Sequence, residues 1–423
     1  MSSDRIRADA RVAGEINRAA VLDLLRRQPV TSRVALARAS GLSKATITQI
    51  IEEFTREGLV EEIGPGPSEL GRRPTLLRFN PHARTALGVE LGEDVCRAVL
   101  TDLDAAPLRT AVQAGRALAA EEIADLAAAL LGDLPAGRLV GLGLSAPGGA
   151  ALPSGGPAEP ELKQQLASRL GVPVAVVSPA KAAAVGEAWS GAGREADHLV
   201  YIRIGHEITA GISARRRLYP GAFPGDGQLG HLTVAPGGEL CPCGNDGCLQ
   251  AVAAGPALLT RVRARLRARG VHRLAGPARP GGAAALEELG LADLAALWEQ
   301  GDPAVREVMQ ETADYLGIAV AGLVNLLQPE MVVLGGPVIA ALPMLVSAVE
   351  AAARRRALSS LASAVRIVPA QLEPWAAAVG AAAVLLSEAA LPAARPVGGI
   401  AGPSGQVIAG RTAAQTMGSG AAS

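Results

Sequence analysis

The sequence has 423 residues, 40 of them basic and 40 acidic, so its formal net charge is +0 and global charge cannot carry an affinity for nucleic acid. The length predicts two or three domains. Apolar residues make up 49% and aromatics only 2%, so the core must be built from Ala, Val, Leu and Ile. The opening MSSDRIRADA is polar and charged, unlike a secretory leader. No stretch offers the roughly 18 uninterrupted apolar residues of a membrane helix. Of the 4 cysteines, Cys241, Cys243 and Cys248 cluster, which fits a metal site in a reducing cytosol better than a disulfide framework. Together these features predict a cytoplasmic protein that does not enter a membrane.

Residues about 12–80 carry helical periodicity followed by a Gly/Pro turn. Residues 1–80 hold 13 Lys and Arg against 10 Asp and Glu, a weak basic bias. EINRAAVLDLLRR (15–27) places Ile16, Ala20, Val21, Leu24 and Leu25 on one helical face, and Gln28-Pro29 ends it. Thr31 or Ser32 can cap a second helix carrying Val34, Leu36 and Ala37. Ser40-Gly41-Leu42-Ser43 reads as the sharp turn of a helix-turn-helix, with Ser43 the N-cap of a third helix. That helix turns Ile47, Ile50, Ile51 and Phe54 inward and leaves Lys44, Thr46, Thr48 and Gln49 on its exposed first turns, where a recognition helix meets base edges and phosphates. Arg33 and Ser43 complete this candidate surface. Glu52, Glu53 and Glu57 further along would repel DNA, so contact is expected from the first two turns alone. Leu59–Ile63 and Thr75–Phe79 read as the strands of a β-wing with a turn at Gly64–Pro67, and Arg72 and Arg73 at its base can reach phosphate or the minor groove. The alternative is a helical domain for protein contacts, with Arg72 and Arg73 as ordinary surface charge.

Beyond residue 80, short apolar strands alternate with Ala-rich helices to about residue 390. Five arginines in RVRARLRAR (261–269) alternate around a predicted helix rather than forming a stripe, which describes a solvated face. Leu274 to Ala284 reads as a surface loop. Residues 391–423, rich in Gly, Ala, Pro and Ser, read as a disordered tail. His231, Cys241, Cys243 and Cys248 form H-x9-C-x-C-x4-C, a ligand set for a closed, structural Zn²⁺ site, with Gly237, Gly238, Gly244 and Gly247 allowing a tight loop. The competing reading is three buried or reactive cysteines beside an unrelated histidine. Cys96, in a predicted strand, reads as core.

LGVELGEDVCRAVLTDLDA (87–105), GLGLSAPG (141–148), KAAAVGEAW (181–189), GDGQLGHLTVAPGGELCPCGNDGCLQ (225–250) and LVNLLQPEMVVLGGPV (323–338) resemble the ROK family, with the cysteine loop the most specific match. The family contains repressors and sugar kinases of the actin-like ATPase fold. The resemblance implies an α/β chain: a winged helix over 12–80, a first lobe over 81–195 closed by a helix near 375–390, and a second lobe over 196–374 holding the zinc. It also marks what is missing. Where family kinases show Asp-x-Gly-Gly-Thr, this chain has Glu90-Leu91-Gly92-Glu93-Asp94, putting negative charge where phosphate would lie. Glu207 stands at a usual glycine of a second phosphate hairpin. Where kinases carry Glu-Asn-Asp-Ala-Asn, it has Val177-Ser178-Pro179-Ala180-Lys181, so the catalytic aspartate is Pro179, which has no proton to exchange. Gly335-Gly336 then remain as turn residues.

The resemblance therefore implies a regulator of carbohydrate metabolism rather than an enzyme: a homodimeric or homotetrameric repressor or activator on double-stranded, inverted-repeat DNA. Family regulators bind a sugar inducer near the zinc, which here assigns Gln228, His231 and Gln250 to an effector pocket, Gln228 and Gln250 standing where glutamates are usual. The segment GAALPSGGPAEPEL after Gly148 lacks the family's Pro-Asn pair, and Ser178 and Pro179 replace two further sugar contacts. The sequence thus leaves open a sugar or sugar-derived effector, a vestigial pocket in an effector-independent regulator, or a protein-docking scaffold.

Overall fold

The computed structural model describes residues 2–28, 30–67, 73–92, 95–115, 119–134, 138–146, 159–222, 226–274 and 284–389. Arg72, Glu93, Asp94, most of the segment after Gly148, the centre of the 274–284 loop and the 391–423 tail lie outside them. Among the described residues no helix is long and apolar enough to cross a membrane.

The chain opens with helix α1 (Ser2–Arg27), then β1 (Thr31–Ser32), α2 (Arg33–Ser40), α3 (Lys44–Arg56), β2 (Val60–Pro65) and β3 (Thr75–Phe79), the strands pairing in the order β1-β3-β2. The caps are local chemistry. Ser32 accepts from the Ala35 amide and Ser43 from the Thr46 amide, while Gly41 turns between the helices at φ 71°, a conformation glycine adopts freely. Thr31 lies instead in β1, its hydroxyl on Gln28. Leu36, Ile47, Ile50, Ile51 and Phe54 are buried as the pattern requires. The first helix is rotated from the expected face: Ala19, Val21 and Leu25 are buried, and Ile16 and Ala20 are exposed, as is Val34 on α2. The wing strand continues past Gly64 to Pro65, with a register shift between Glu62 and Gly64, so the expected turn at 64–67 is displaced toward Pro74, whose carbonyl receives the Gly66 amide.

Two five-stranded sheets follow, and they share one topology. The first comprises β4 (Thr85–Leu91), β5 (Val95–Thr101), β6 (Pro107–Ala114), β7 (Leu139–Ser145) and β8 (Val174–Val177), ordered β6-β5-β4-β7-β8. The second comprises β9 (His198–Ile204), β10 (Ile208–Ala214), β11 (Arg217–Leu218), β14 (Met331–Gly335) and β15 (Arg366–Pro369), ordered β11-β10-β9-β14-β15. In each, a meander of three antiparallel strands meets two parallel ones. Helices α4 (Ala120–Leu131) and α5 (Glu159–Leu170) accompany the first sheet, and α6 (Pro179–Ser190) follows β8 and packs on β9 and β10 of the second. Helices α7 (Leu249–Ala253), α8 (Gly255–Ala268), a small hairpin β12 (Arg273–Leu274) with β13 (Ala284–Ala285), α9 (Leu291–Glu299), α10 (Pro303–Leu327), α11 (Pro337–Ala341), α12 (Leu345–Arg354) and α13 (Ser359–Ala364) surround the second. The last helix, α14 (Ala376–Ala389), crosses back to pack on α6, β4 and β7.

That packing explains the composition. Gly88 and Gly143 face each other across β4 and β7, and a Cβ at either would lie 1.9 or 2.0 Å from the carbonyl oxygens of Ala378 and Ala381. At the α6–α14 crossing, a Cβ on Gly380 would lie 1.7 Å from the Ala182 oxygen. Backbone therefore touches backbone, and alanines fill what little space remains. We expect Gly143→Ala to destabilise the chain by about 1–3 kcal/mol or more, because α14 must lift off the sheet. Urea unfolding should show a lower midpoint with an unchanged slope, and an unmoved midpoint would refute the close approach.

Candidate functional site

The exposed side of α3 carries Lys44, Ala45, Gln49 and Glu52, with Thr46 and Thr48 half-buried beside them. Thr48 Oγ1 donates to the Lys44 carbonyl at 2.9 Å and Gln49 Nε2 to Glu53 at 3.2 Å. Ala45 was not singled out by the sequence pattern. A small exposed residue one step into the helix lets the backbone approach a ligand closely, but it leaves no polar signal. Arg33 behaves differently from expectation: its guanidinium bonds Glu62 at 2.7 Å and ties α2 to the wing. Arg73 is exposed at the wing base. The expected repulsion from the acidic half of α3 is also muted. Arg18 on α1 binds Glu53 at 2.6 Å and Glu57 at 2.9 Å, and this hydrogen bond holds the Glu53 carboxyl below its usual pKa. Among the described residues Glu52 alone of the three has no ion pair. Arg261, Arg265 and Arg267 of α8 and Arg269 after it pair with Glu287, Glu307 or Glu311, and Arg263 donates to the carbonyls of Leu286, Glu287 and Leu289. Half-buried Arg261 and Arg263 are thus held by protein contacts, and only the remainder form a solvated face.

The first sheet meets the second through Glu90 of β4 and Arg203 of β9. Glu90, at the end of β4, is buried, with Arg97 of β5 at 3.7 Å and Arg203 of β9 at 3.5 Å. Two guanidinium groups thus face the first carboxylate of the altered phosphate motif, and the Arg203 contact bridges the lobes. Gly205 closes the β9–β10 hairpin through the Glu207 carbonyl, with the Glu207 side chain exposed. Gly211 serves the fold, since a Cβ there would lie 2.2 Å from the Ala180 oxygen. Gly336, at φ 92°, donates its amide to Glu373, which also accepts from the Tyr201 hydroxyl.

Pro179 is the first residue of α6, a position where its fixed φ suits and its missing N–H costs nothing. The helix is capped from afar. Asp226 accepts from the Ser178 hydroxyl, the Ala180 amide at 3.2 Å and the Lys181 amide at 3.0 Å. The Asp226 carboxylate is therefore tied to three donors. Sequence reasoning missed Asp226, whose partners lie more than 40 positions away.

His231 Nδ1 lies 3.6 Å from Cys241 Sγ, Cys243 Sγ lies 3.7 Å from Cys248 Sγ, and all four ligand atoms fall within 4.8 Å of one another. Tetrahedral bonding at about 2.3 Å to sulfur and 2.0 Å to nitrogen requires separations near 3.8 and 3.5 Å, which the His231–Cys241 and Cys243–Cys248 pairs match, so the donor set suits a zinc ion. All four cysteines are free thiols, and Cys96 is buried. The loop is built by Gly237, Gly244 and Gly247 at positive φ, and a Cβ on Gly247 would lie 1.8 Å from the Ala235 oxygen. The thiols differ: a hydrogen bond from the Asn245 amide draws exposed Cys243 down to about 7, and burial pushes Cys248 up to about 12. Of the expected effector residues, Gln250 lies against this centre, its Nε2 3.8 Å from Cys241 Sγ, and Gln228 stays exposed before the His231 turn.

Residues 86–388 match the ROK family and residues 16–61 match a winged helix-turn-helix DNA-binding family. The xylose repressor of Bacillus subtilis is 26% identical over 90% of this chain and 97% of its own length. A crystal structure of a ROK family transcriptional regulator, a homologue of the E. coli MLC protein, superposes with a TM-score of 0.74 at 26% identity, covering 90% of this chain and 97% of that one. The ROK hexokinase from Thermus thermophilus, 29% identical with a TM-score of 0.58, covers 97% of itself but only 71% of this chain. A ROK domain joined to a winged helix-turn-helix, in a chain matched over nearly its whole length by repressors, defines a DNA-binding transcription regulator. The chain belongs to the ROK family.

Burial pushes the Glu90 carboxyl above its usual value of 4.5, against the pull of Arg203 and Arg97. A folded state that holds this proton more tightly than the unfolded chain loses stability as pH rises through the raised pKa. Glu90→Gln has no such proton to lose. The stability of wild type relative to E90Q should be greatest below about pH 4 and decline toward pH 7, as read by urea unfolding across that range. A difference independent of pH would mean that the carboxyl is not raised.

Proposed function

We propose that this regulator is a cytoplasmic, zinc-stabilised repressor that binds an inverted-repeat operator as a homodimer or homotetramer and responds to a sugar. The observation that carries the reading is the pairing of an intact reader with a disarmed cleft: Lys44, Thr46, Thr48 and Gln49 stand on the outer turns of α3, and Pro179 occupies the position of the proton acceptor. Ser43 caps the reading helix, and Arg73, with Arg72 beside it, supplies wing charge. Arg33 supports the wing through Glu62. The division is a winged helix over 12–80, lobes over 81–195 and 196–374, and the helix near 375–390 completing the first lobe, which the return of α14 to β4 and β7 supports.

The xylose repressor among the relatives favours a sugar effector near His231, Gln228 and Gln250. A second reading, an effector-independent regulator, is favoured by Asp226, which already occupies the α6 N-terminus, and by Gln250, which is turned to the metal loop. Gel shifts on the chain's own upstream DNA, titrated with D-xylose and with hexoses, separate the two: release by a sugar supports the first, and salt-dependent binding indifferent to every sugar supports the second. Lys44→Ala should weaken all DNA alike and reduce the salt slope by about 1, while Gln49→Ala should relax base preference at one position. If both variants bind as wild type does, α3 is not the reading surface.

Zn²⁺ held by His231, Cys241, Cys243 and Cys248 supplies folding energy and no open coordination position. Cys248→Ser should abolish stoichiometric zinc, read by metal analysis of purified protein, and lower Tm by several degrees. Full zinc content in that variant would place the ion elsewhere.

A further inference from the structure

The three thiols of the cysteine loop differ in where they stand. Cys241 and Cys248 are buried, whereas Cys243 is exposed. The Cys241 amide donates to the Asn245 carbonyl at 2.8 Å, and its sulfur lies against His231 and Gln250. Cys248 is fixed by its backbone: it bridges to Thr233 and caps α7, and the neighbouring Leu249 amide donates to the Leu232 carbonyl at 2.8 Å. The glycines divide in the same way. Gly247, next to Cys248, is pinned, since a Cβ there would lie 1.8 Å from the Ala235 oxygen. Gly244, next to Cys243, turns at φ 94°, and a Cβ there would meet nothing within 4 Å among the described residues.

One sulfur is therefore open to solvent on a turn with room to move, and a second is buried on a fixed support 3.7 Å away. An accessible thiol beside a resolving thiol is the arrangement that oxidants convert to a disulfide. Zinc holds its sulfur ligands as thiolates, the form that attacks peroxide. A disulfide brings the sulfurs to about 2.05 Å, and the free turn at Gly244 lets Cys243 make that approach while Cys248 stays in place. Cys241 is the poorer partner: it is buried, and only Pro242 separates it from Cys243, so the ring it could close is small.

We propose that this loop is an oxidation site for hydrogen peroxide, in which Cys243 reacts first, Cys248 resolves it, and zinc leaves as the disulfide forms. The inference rests on the zinc reading given above. The Cys243 thiolate attacks one peroxide oxygen, the O–O bond breaks and hydroxide leaves, giving a sulfenic acid. The Cys248 thiolate then attacks the sulfenic sulfur, the S–S bond forms and a second hydroxide leaves. Two thiolates lose two electrons in all, and the peroxide that gains them ends as two hydroxides. His231 and Cys241 remain, too few donors for a closed tetrahedral site. The turn that carries His231 and the helix that carries Gln250 then lose their common anchor, so the oxidant acts on the proposed effector residues through the metal.

The test uses the wild-type full chain, with its zinc content measured before hydrogen peroxide is added. On oxidation, one zinc per chain should pass to a chromophoric chelator in step with the loss of two thiols. Peptide mapping should find a Cys243–Cys248 disulfide, and dimedone present during the reaction should label Cys243. Dithiothreitol with added zinc should restore both thiols and metal, and buried Cys96 should stay reduced throughout. Amide exchange over residues 228–250 should quicken on oxidation and slow again on recovery. A chain that carries no zinc at the outset sinks the zinc reading and this inference with it. A zinc-loaded chain that keeps its metal and thiols under peroxide sinks this inference alone. So do zinc loss without a disulfide, a disulfide through Cys96 or Cys241, and dimedone labelling of Cys241 or Cys248 ahead of Cys243.

Discussion

Contact between backbones, with no side chain intervening, is the constraint on which this molecule rests. At Gly88, Gly143, Gly186 and Gly380 a single added carbon would collide with a carbonyl or amide of the neighbouring element. With few aromatic rings to fill volume, the chain reaches interior density by drawing α6, α14 and the first sheet together until only alanine and glycine fit. The arrangement is unforgiving, since overpacking cannot be relieved by a side chain moving aside. It also fixes the height at which α6 begins, and hence where Ser178, Pro179 and the Asp226 carboxylate sit.

Polar groups buried between the two lobes must be satisfied by the chain itself. Here the carboxylate at the end of β4 faces two guanidinium groups, one from each lobe, and Asp226 caps the buried start of α6. A charge left alone at either place would be costly. Satisfied by the chain itself, the cleft holds its lobes together through protein contacts. The adjoining cysteine loop gathers four candidate ligand atoms within 4.8 Å of one another.

Much of this was legible in the residues. The helix-turn-helix, its Ser43 cap, the four inward residues of α3 and the cysteine loop follow from spacing, because capping, amphipathic period and ligand geometry are local. What escaped was long-range or relative. The rotation of α1, with Ala19 rather than Ala20 inward, depends on the body against which the helix docks. The engagement of Arg33 by Glu62, the pairing of Arg18 with two glutamates of α3 and the reach of Asp226 to α6 join positions that no window of sequence connects. The bulge after Glu62, which carries the wing strand to Pro65, depends on register with β3.

The order of elements carries a consequence for how the molecule comes into being. The winged helix is made first, yet one continuous apolar cluster joins its Val21 and Leu25 to Ala378, Ala382 and Leu386 of α14. The surface that receives the reader is therefore incomplete until the final helix leaves the ribosome. Closing a loop of that length is slow beside the folding of a short three-helix unit. Until α14 has been made, a nascent chain therefore lacks part of the apolar cluster against which Val21 and Leu25 pack.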